Sequence, residues 1–401
     1  MSLRYVILRG PEEHQKFAMP KATRRGMRGA VRGAAPPATL PRVEVGEFAP
    51  RAAAELARKP EIMGIAPVFP MKLIAPLRLA TGAGELSAAQ TAWGVEAVGA
   101  HTSPFTGNGI VVAVLDTGVD AAHRAFAGVE VVRRNFTDAS DEDEDGHGTH
   151  CTGTILGRDV EGKRIGVARG VTKLLAGKVL GGKGGGSDVI IDAIQWAVST
   201  GANVISMSLG MDFPGYVKEL EEEGVPTELA TSMALDGYRA NLRLFERLAS
   251  FIAAQEAFAR SALLVAAAGN ESRRDENPDF QIAVSPPAVA DGFISVAAVG
   301  NSPQGYIVAP FSNVGARLAA PGVDIVSARR GGGVTSMSGT SMATPHVAGV
   351  AALWAEKLSK SGPRGARQLS DNLTGRATMD GMASGMTVHD VGNGMVQAPQ
   401  S

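Results

Sequence analysis

The stretch "GIVVAVLDTGVD" (residues 109–120) decides the fold class. It begins as a run of apolar, largely β-branched residues and ends in Asp116-Thr117-Gly118. A continuous apolar run of this length is typical of a strand that is covered on both faces, as in parallel sheets. We therefore predict a buried parallel strand here, with Asp116 at its carboxyl end.

Similar apolar runs recur along the chain and alternate with helical patterns. They are "KLLAGKVL", "NVISMSLG", "SALLVAAAGN" and "GFISVAAVG". Between the first two, "SDVIIDAIQWAVSTG" predicts a helix with Ser187 as N-cap and Gly201 at its end. Strands that alternate with helices predict an α/β fold, with a mostly parallel sheet and helices on both faces. In such sheets the functional side chains lie at the carboxyl ends of the strands.

The N-terminal part has a different composition. Residues 1–35 include the basic, Gly/Ala-rich "KATRRGMRGAVRGAAPP", which we interpret as a flexible segment. The runs "VEV", "APRAAAELARK" and "IMGIAPVFPMKLI" then indicate strand, helix and strand, hence a small α+β module. The small polar stretch "RLATGAGELSAAQT" is typical of a linker. We therefore predict two units, residues 1–86 and residues 87–401.

The composition excludes several classes of protein. Of the 401 residues, 44% are apolar and 20% charged, which is ordinary for a globular protein with a sizeable core. A net charge of −1 does not suggest nucleic acid as a partner. The single cysteine, Cys151, excludes an internal disulfide framework and fits a reducing compartment. We see no signal peptide or transmembrane segment and expect a cytoplasmic protein or one exported by a non-classical route.

Three side chains are predicted to meet at the carboxyl ends of the strands. Asp116 ends its strand, His147 lies in "DGHGTHCTGT", and Ser341 lies in "SGTSMATPHVAG". Pro345 favours the first turn of a helix, so Ser341 is expected at a helix N-terminus, where a lone serine would be an ordinary N-cap. A serine nucleophile needs a base, and the base needs a carboxylate that fixes its tautomer. Asn270 in "VAAAGNE" offers an amide for an oxyanion.

Five segments in this order resemble the signature blocks of the subtilisin-like serine endopeptidases, the subtilases. They are "VAVLDTGVD", "GHGTHCTGT", "ISMSLG", "VAAAGNE" and "SGTSMATPHVAG". The resemblance implies the subtilisin-like fold and an endopeptidase that cleaves proteins or peptides through an acyl-enzyme. It identifies Ser341 as the nucleophile and His147, rather than His150, as general base and acid. Asp116 would orient the imidazole, and the Asn270 amide with the Ser341 backbone N–H would form the oxyanion hole.

The same resemblance, which covers roughly residues 90–398, implies a substrate cleft. The two walls of its primary specificity pocket would be Ser208, Leu209 and Gly210 on one side and Ala267, Ala268 and Gly269 on the other. An extended substrate would add as a β-strand to the edge formed by Gly184, Gly185 and Gly186. Because the walls are small and uncharged, we expect a preference for large apolar or aromatic side chains.

The N-terminal module resembles the propeptide of the family, a folding chaperone and inhibitor whose tail lies in the cleft. The chain would then be a zymogen that cuts itself within about residues 80–92. We expect a monomer that requires no cofactor. Its partners would be protein or peptide substrates and its own propeptide, with neither nucleic acid nor membrane.

Two features depart from the pattern of the family. Ala125 stands where many relatives carry a carboxylate that often binds calcium, although the acidic run "DASDEDED" (138–145) could hold a structural calcium ion. The stretch of about 211–262 is longer than usual, and its helical periodicity predicts one long or two shorter helices. It could form a lid, a partner-docking surface or mere surface decoration.

Other functions are tested against the same residues. The run "GKVLGGKG" (177–184) matches the phosphate-binding pattern G-x-x-x-x-G-K, but Gly184 stands where a magnesium-binding Ser or Thr is required. An α/β-hydrolase is disfavoured because Ser341 lies in G-T-S-M-A and not in G-x-S-x-G. The alternative to an active protease is a catalytically silent binding module, plugged by its own N-terminal segment.

Overall fold

The computed structural model describes residues 2–10, 41–77, 90–181, 185–255, 261–360, 362 and 365–401. The strands are β1 (Leu3–Arg9), β2 (Arg42–Phe48), β3 (Ile62–Pro67), β4 (Pro70–Leu73), β5 (Val111–Asp116), β6 (Glu130–Asn135), β7 (Lys173–Lys178), β8 (Gly185–Gly186), β9 (Val204–Met207), β10 (Leu209–Met211), β11 (Leu263–Ala267), β12 (Phe293–Ser302), β13 (Gly305–Val308), β14 (Leu318–Pro321), β15 (Ile325–Ala328) and β16 (Val334–Met337). The helices are α1 (Pro50–Leu56), α2 (Trp93–Ala97), α3 (His147–Leu156), α4 (Ser187–Ser199), α5 (Phe213–Glu222), α6 (Thr227–Ala254), α7 (Thr340–Ser359), α8 (Ala366–Gly375) and α9 (Val388–Val391).

A mostly parallel sheet forms the centre of the body of the molecule, which we define as residues 90–401. Its order is β13-β12-β11-β9-β5-β7-β6, with β14 also paired to β12. The pairs are parallel except that of β12 and β13. Every residue of β9 and β11 is buried, as expected of strands covered on both faces. The predicted α/β class with a mostly parallel sheet and flanking helices is confirmed.

Two helices that carry candidate residues pack on this sheet. Helix α7 lies against α3 and against strands β9, β11, β12 and β14. Its residues from Thr340 to Ala355 are all buried, because a helix that is apolar on nearly every side must be enclosed by other elements. The helix predicted from Ser187 is α4, but its N-cap is Gly186 and not Ser187. The Ser187 hydroxyl instead accepts a hydrogen bond from the Phe69 backbone N–H at 3.1 Å.

The N-terminal module, residues 2–10 and 41–67, contains a three-stranded sheet in the order β2-β1-β3. Strand β1 lies in the middle and is antiparallel to both neighbours. The interpretation of residues 1–35 as flexible is therefore wrong for residues 3–9, because Tyr5, Val6, Ile7 and Leu8 form the buried part of this sheet. The rest of that basic stretch lies outside the described residues.

The chain then passes from the module into the body. The run "IMGIAPVFPMKLI" is split into β3 and β4, which belong to different sheets. Between them Phe69 is fully buried, with its ring centroid 4.7 Å from that of Tyr216 on α5. Strand β4 forms the middle of a small antiparallel sheet with β8 and β10 of the body. Residues 70–77, called the cleft segment below, thus pair with strands of the body.

Within the stretch of about 211–262, the run "TELATSMALDGYRANLRLFERLASFIAA" forms the single long helix α6, the first of the two predicted arrangements, and the short helix α5 precedes it. Helix α6 packs on β3 of the N-terminal module. The Asn241 side-chain amide donates to the Pro67 carbonyl oxygen at 2.8 Å, and the Arg247 guanidinium donates to the Met63 carbonyl oxygen. Of the three roles left open by the sequence (lid, docking surface or surface decoration), these contacts favour a docking surface. The segment that docks on it is the chain's own N-terminal module.

None of the helices in the part of the chain that the structure describes combines the length and the apolar character that crossing a membrane requires.

Candidate active site

Asp116 and His147 form a buried pair where β5 ends and α3 begins. The His147 Nδ1 atom lies 2.8 Å from Asp116 Oδ1, and both side chains are almost inaccessible. The close approach of the two elements depends on Gly148, since a Cβ there would lie 2.1 Å from the Gly118 carbonyl oxygen. The sequence therefore needs glycine beside the histidine to bring the imidazole onto the carboxylate.

Asp143 organises the loop in front of this pair, a role that the sequence analysis missed. Its Oδ1 accepts hydrogen bonds from the Gly146 N–H at 2.9 Å and the Thr117 hydroxyl at 2.8 Å. Its Oδ2 accepts from the N–H and the hydroxyl of Thr149. Both oxygens are thus committed to protein donors, so Asp143 is no free calcium ligand within the acidic run. The calcium site itself stays a prediction.

Among the residues that the structure describes, one group of side chains could hold a metal ion: Asp116, His147 and Cys151. Their potential ligand atoms lie within 4.8 Å of one another. This group is the pair just described together with the cysteine on the next turn of α3. It therefore adds no metal centre away from the candidate catalytic residues.

Ser341 is the second residue of α7 and is fully buried. Its hydroxyl donates to the Ile74 carbonyl oxygen of the cleft segment at 2.7 Å. His147 Nε2, the nitrogen that faces away from Asp116, has no hydrogen-bond partner among the protein atoms of the structure. The hydrogen bond from Ser341 to His147 is thus not formed. The Ser341 hydroxyl donates to the cleft segment instead.

Pro345 lies inside α7 and not in its first turn, which corrects the prediction. Because proline has no N–H, the Ser341 carbonyl loses the helical hydrogen bond that residue 345 would otherwise donate. The Cys151 thiol donates to this carbonyl oxygen at 3.3 Å and the Ser208 hydroxyl at 3.4 Å. Two side chains from other elements therefore hold the backbone of the serine in place.

Asn270 follows β11, and its amide points into the same cleft. Its Oδ1 accepts from the backbone N–H of Thr340 at 2.9 Å and from the Thr340 hydroxyl at 2.8 Å. This orientation turns Nδ2 towards the cleft segment, where it donates to the Ala75 carbonyl oxygen at 2.9 Å. Gly339 leaves room for the amide, since a Cβ there would lie 3.0 Å from Asn270 Nδ2. Thr340 is a second residue that the sequence analysis did not single out.

The residues expected to form the cleft lie around the cleft segment. The Ser208 carbonyl oxygen accepts a hydrogen bond from the Ile74 N–H at 3.2 Å. In the adjoining strand pair, Leu209 and Gly210 lie opposite Leu73 and Lys72. On the other side, Gly185 and Gly186 pair with Met71 and Pro70. Ala267 and Ala268 are fully buried, and the Gly269 N–H donates to the Thr340 hydroxyl at 3.2 Å. Gly184 lies outside the described residues.

Asn313 fixes the loop that carries Asn270, and the sequence analysis missed it as well. Its Oδ1 accepts from the backbone N–H groups of Glu271 and Ser272, each at 3.1 Å. Its Nδ2 donates to Glu271 Oε2 at 2.8 Å and to the Ala268 carbonyl oxygen at 3.2 Å. The signal in the sequence is weak: one amide residue among apolar neighbours in "FSNVG".

Three buried histidines differ in their pKa. Burial lowers the pKa of His150 to about 3 and that of His346 to about 4, and each ring bonds a backbone carbonyl oxygen, as expected of structural histidines. Burial also disfavours the charged form of His147. There the negative charge of Asp116 outweighs it and holds the pKa of His147 well above its usual value.

Comparison with known proteins agrees with this geometry. A family model described as "Subtilase family" matches residues 107–394. Subtilisin-like protease 1 of Trichophyton verrucosum is 38% identical over 250 residues, 61% of this chain and 52% of that protein. Subtilisin DY of Bacillus licheniformis is 34% identical over 277 residues, 68% of this chain and 85% of that protein. Fervidolysin from Fervidobacterium pennivorans, a keratinolytic enzyme related to subtilisin, matches with a TM-score of 0.60 at 26% identity, over 84% of this chain and 51% of that one.

The parallel sheet, the buried pair of Asp116 and His147, and the serine at the head of α7 define a subtilisin-like α/β protein. With the match to residues 107–394, the chain belongs to the subtilase family. It spans about half the length of the Trichophyton relative.

Proposed function

We propose that the protein is a serine endopeptidase that hydrolyses peptide bonds through an acyl-enzyme. The observation that supports this most strongly is the meeting of the Asp116 and His147 pair, Ser341 and the Asn270 amide around a segment bound as a β-strand. In this mechanism His147 takes the Ser341 proton during attack and later gives it to the leaving amine. Asp116 holds the imidazole in one tautomer and stabilises its charged form.

The oxyanion that forms during attack needs donors that are already in place. In the proposed mechanism the Asn270 amide and the Ser341 backbone N–H supply them. Support comes from the two hydrogen bonds from Thr340 that fix the amide before any substrate arrives. The helix N-terminus at Ser341 adds orphan N–H groups and a positive dipole end at the same place.

The N-terminal segment, in this proposal, keeps the chain inactive as a zymogen. Productive binding places the attacked carbonyl on the oxyanion donors and leaves the serine hydroxyl to the histidine. Here two successive carbonyls divide these contacts, with Ile74 on the Ser341 hydroxyl and Ala75 on the Asn270 amide. The cleft segment is therefore bound along the cleft but is not poised for attack.

Self-processing is the next step of this proposal, and its test is mass spectrometry. Ser341 contacts the Ile74 carbonyl and Asn270 the Ala75 carbonyl, whereas most of the predicted range 80–92 lies outside the described residues. The purified wild-type chain should lose its N-terminal part on incubation, and Ser341→Ala should stay at full length. Processing of Ser341→Ala at the same bond would show that another protease makes the cut.

The alternative, a catalytically silent module plugged by its own segment, predicts a different result with a fluorophosphonate probe. An active serine in contact with a histidine base reacts covalently with such probes, so wild type that has lost its N-terminal part should be labelled and Ser341→Ala should not. His150→Ala serves as a control of buried-histidine loss, since His150 bonds a backbone carbonyl and not the serine. A wild-type chain that is processed by an added protease yet never labelled would favour the silent module.

The preference for a large apolar residue at the scissile carbonyl also remains a proposal. It is supported by Ile74, whose side chain is buried and would contact a Cβ at Gly210 at 3.7 Å. A library of peptides should therefore show cleavage after Ile, Leu, Phe or Met. A profile dominated by Lys or Asp at this position would overturn the preference and leave the protease mechanism intact.

A further inference from the structure

A basic side chain of the cleft segment lies between two carboxylates of the body. The Lys72 ammonium is 3.3 Å from Asp212 Oδ1 and 3.6 Å from Glu271 Oε1. Asp212 directly follows β10, and Glu271 directly follows Asn270. The two acidic groups therefore come from the two predicted walls of the specificity pocket. They meet at Lys72, two residues before Ile74, whose carbonyl contacts Ser341.

Both carboxylates are held in position by contacts that do not involve the cleft segment's side chain. Asp212 is the N-cap of α5 and accepts from the Gly215 N–H. Glu271 uses Oε2 to accept from the Asn313 amide at 2.8 Å, which leaves Oε1 for Lys72. Because their positions are set by the loop and the helix cap, the two negative charges remain at the rim when another peptide replaces the segment.

Other charged groups in the cleft strengthen the negative potential there. The cavity beside the segment, with a volume of about 650 Å³, is also lined by Glu144, Asp145 and Lys178. The ammonium of Lys178 is buried and donates to the Glu142 carbonyl oxygen at 2.6 Å. A cationic peptide side chain thus meets more carboxylates than cations along this wall.

The backbone register connects these charges to the reaction. Lys72 pairs with Gly210, and Ile74, two residues later, presents its carbonyl to the Ser341 hydroxyl. A substrate that adds as a strand in the same register places its own side chain at the Lys72 position. We infer that Asp212 and Glu271 make the enzyme select peptides with Lys or Arg two residues before the residue that contributes the scissile carbonyl. This inference rests on the proposed endopeptidase function.

The expected size of the preference is moderate, because the three side chains are about one third to two fifths exposed and solvent screens such pairs. Quenched fluorescent peptides that carry "MKLI" before the scissile bond, without the Ala-Pro that follows it in this chain, and that differ only at the Lys position can measure it. We expect kcat/KM to be about threefold higher for Lys than for Ala and about tenfold higher for Lys than for Glu. Both ratios should shrink at 1 M salt, where the screening length is about 3 Å.

The double variant Asp212→Asn, Glu271→Gln should bring the Lys to Glu ratio close to one. Asparagine is as good an N-cap as aspartate, so α5 keeps its start. The matched control is Asp291→Asn, which should keep the full ratio. Asp291 is an exposed carboxylate just before the N-terminal end of β12. The inference fails if wild type cleaves the Lys and Glu peptides equally, or if the preference survives in the double variant. A chain that cleaves no peptide and takes no fluorophosphonate would overturn the proposed function instead.

Discussion

The two halves of the candidate site are in different states. In one half, Asp116 and His147 are joined by a 2.8 Å hydrogen bond between two residues of the body. In the other half, Ser341 and Asn270 both donate to carbonyl oxygens of the cleft segment. The segment therefore engages the nucleophile and the oxyanion donor and leaves the base and its carboxylate assembled. In the proposed zymogen, withdrawal of the segment would free the Ser341 hydroxyl to donate to His147 Nε2.

The largest effect is expected from the assembled half. Asp116→Asn removes the charge that stabilises the imidazolium and leaves the imidazole in the wrong tautomer, so kcat should fall by about 10⁴-fold, the size known for this substitution in serine proteases. Hydrolysis of a quenched peptide by the processed chain measures it, with Asp291→Asn as the matched control. A variant that keeps a tenth of wild-type kcat would mean that Asp116 does not act on His147.

A smaller loss is expected from the half that is bound to the segment. Asn270→Ala deletes the proposed oxyanion donor, and such donors contribute about 10²- to 10³-fold to kcat in serine proteases. KM should change little, because the amide acts mainly in the transition state. The same variant loses the contact with Ala75, so the N-terminal part should dissociate more readily in a pull-down after processing. Wild-type kcat in this variant would remove Asn270 from the mechanism.

The pH dependence of kcat/KM should report on the half formed by Asp116 and His147. The raised pKa of His147 means that the imidazole becomes protonated, and lost as a base, at a higher pH than an ordinary histidine. The acidic limb of kcat/KM should therefore have its midpoint above 6.5, with about a tenfold fall per pH unit below it. In Asp116→Asn, whose residual rate requires a longer assay, the midpoint should move to lower pH. A wild-type midpoint below 6.5 would mean that burial, and not the charge of Asp116, dominates the pKa of His147.

The smallest effect is expected at Cys151, which touches both halves. Its sulfur lies 3.7 Å from His147 Nδ1 and donates to the Ser341 carbonyl oxygen at 3.3 Å. Cys151→Ala removes this donor while the Ser208 hydroxyl remains, so kcat/KM should fall about threefold or less. Cys151→Ser keeps a donor and should recover most of the rate. If Ala and Ser behave alike, the thiol acts through packing and not through its hydrogen bond.

Local patterns predict the body of the molecule well. The apolar runs around Asp116 and Asn270 are strands, as a short, continuous apolar run with β-branched residues predicts for a strand covered on both faces. Gly148, next to His147, marks a place where two backbones approach closely, and Gly339, two residues before Ser341, leaves room for the Asn270 amide. These features depend on neighbours in the sequence, so one chain is enough to read them.

Features that depend on distant partners could not be predicted in the same way. The strand Leu3–Arg9 is not predicted, because its four buried residues stand next to a long basic stretch that indicates a flexible segment. It is a strand in the structure because β2 and β3 pair with it on either side. The position of Pro345 inside α7 is another example. Proline is tolerated there because the freed Ser341 carbonyl accepts from Cys151 and Ser208, and neither donor can be inferred from the residues next to Pro345. The contacts of Ile74 and Lys72 depend on the register of the cleft segment, which no local pattern specifies.

The hydrogen bond between Ile74 and Ser341 joins residues 267 positions apart, and the carbonyl comes first. During translation at about 5–20 residues per second, the ribosome makes the cleft segment roughly 10 to 50 s before the serine that it covers. Helix α6, which supports the module, also emerges before α7. The segment that covers the serine is therefore made before the serine itself, so it is available to cover the proposed nucleophile as soon as α7 folds.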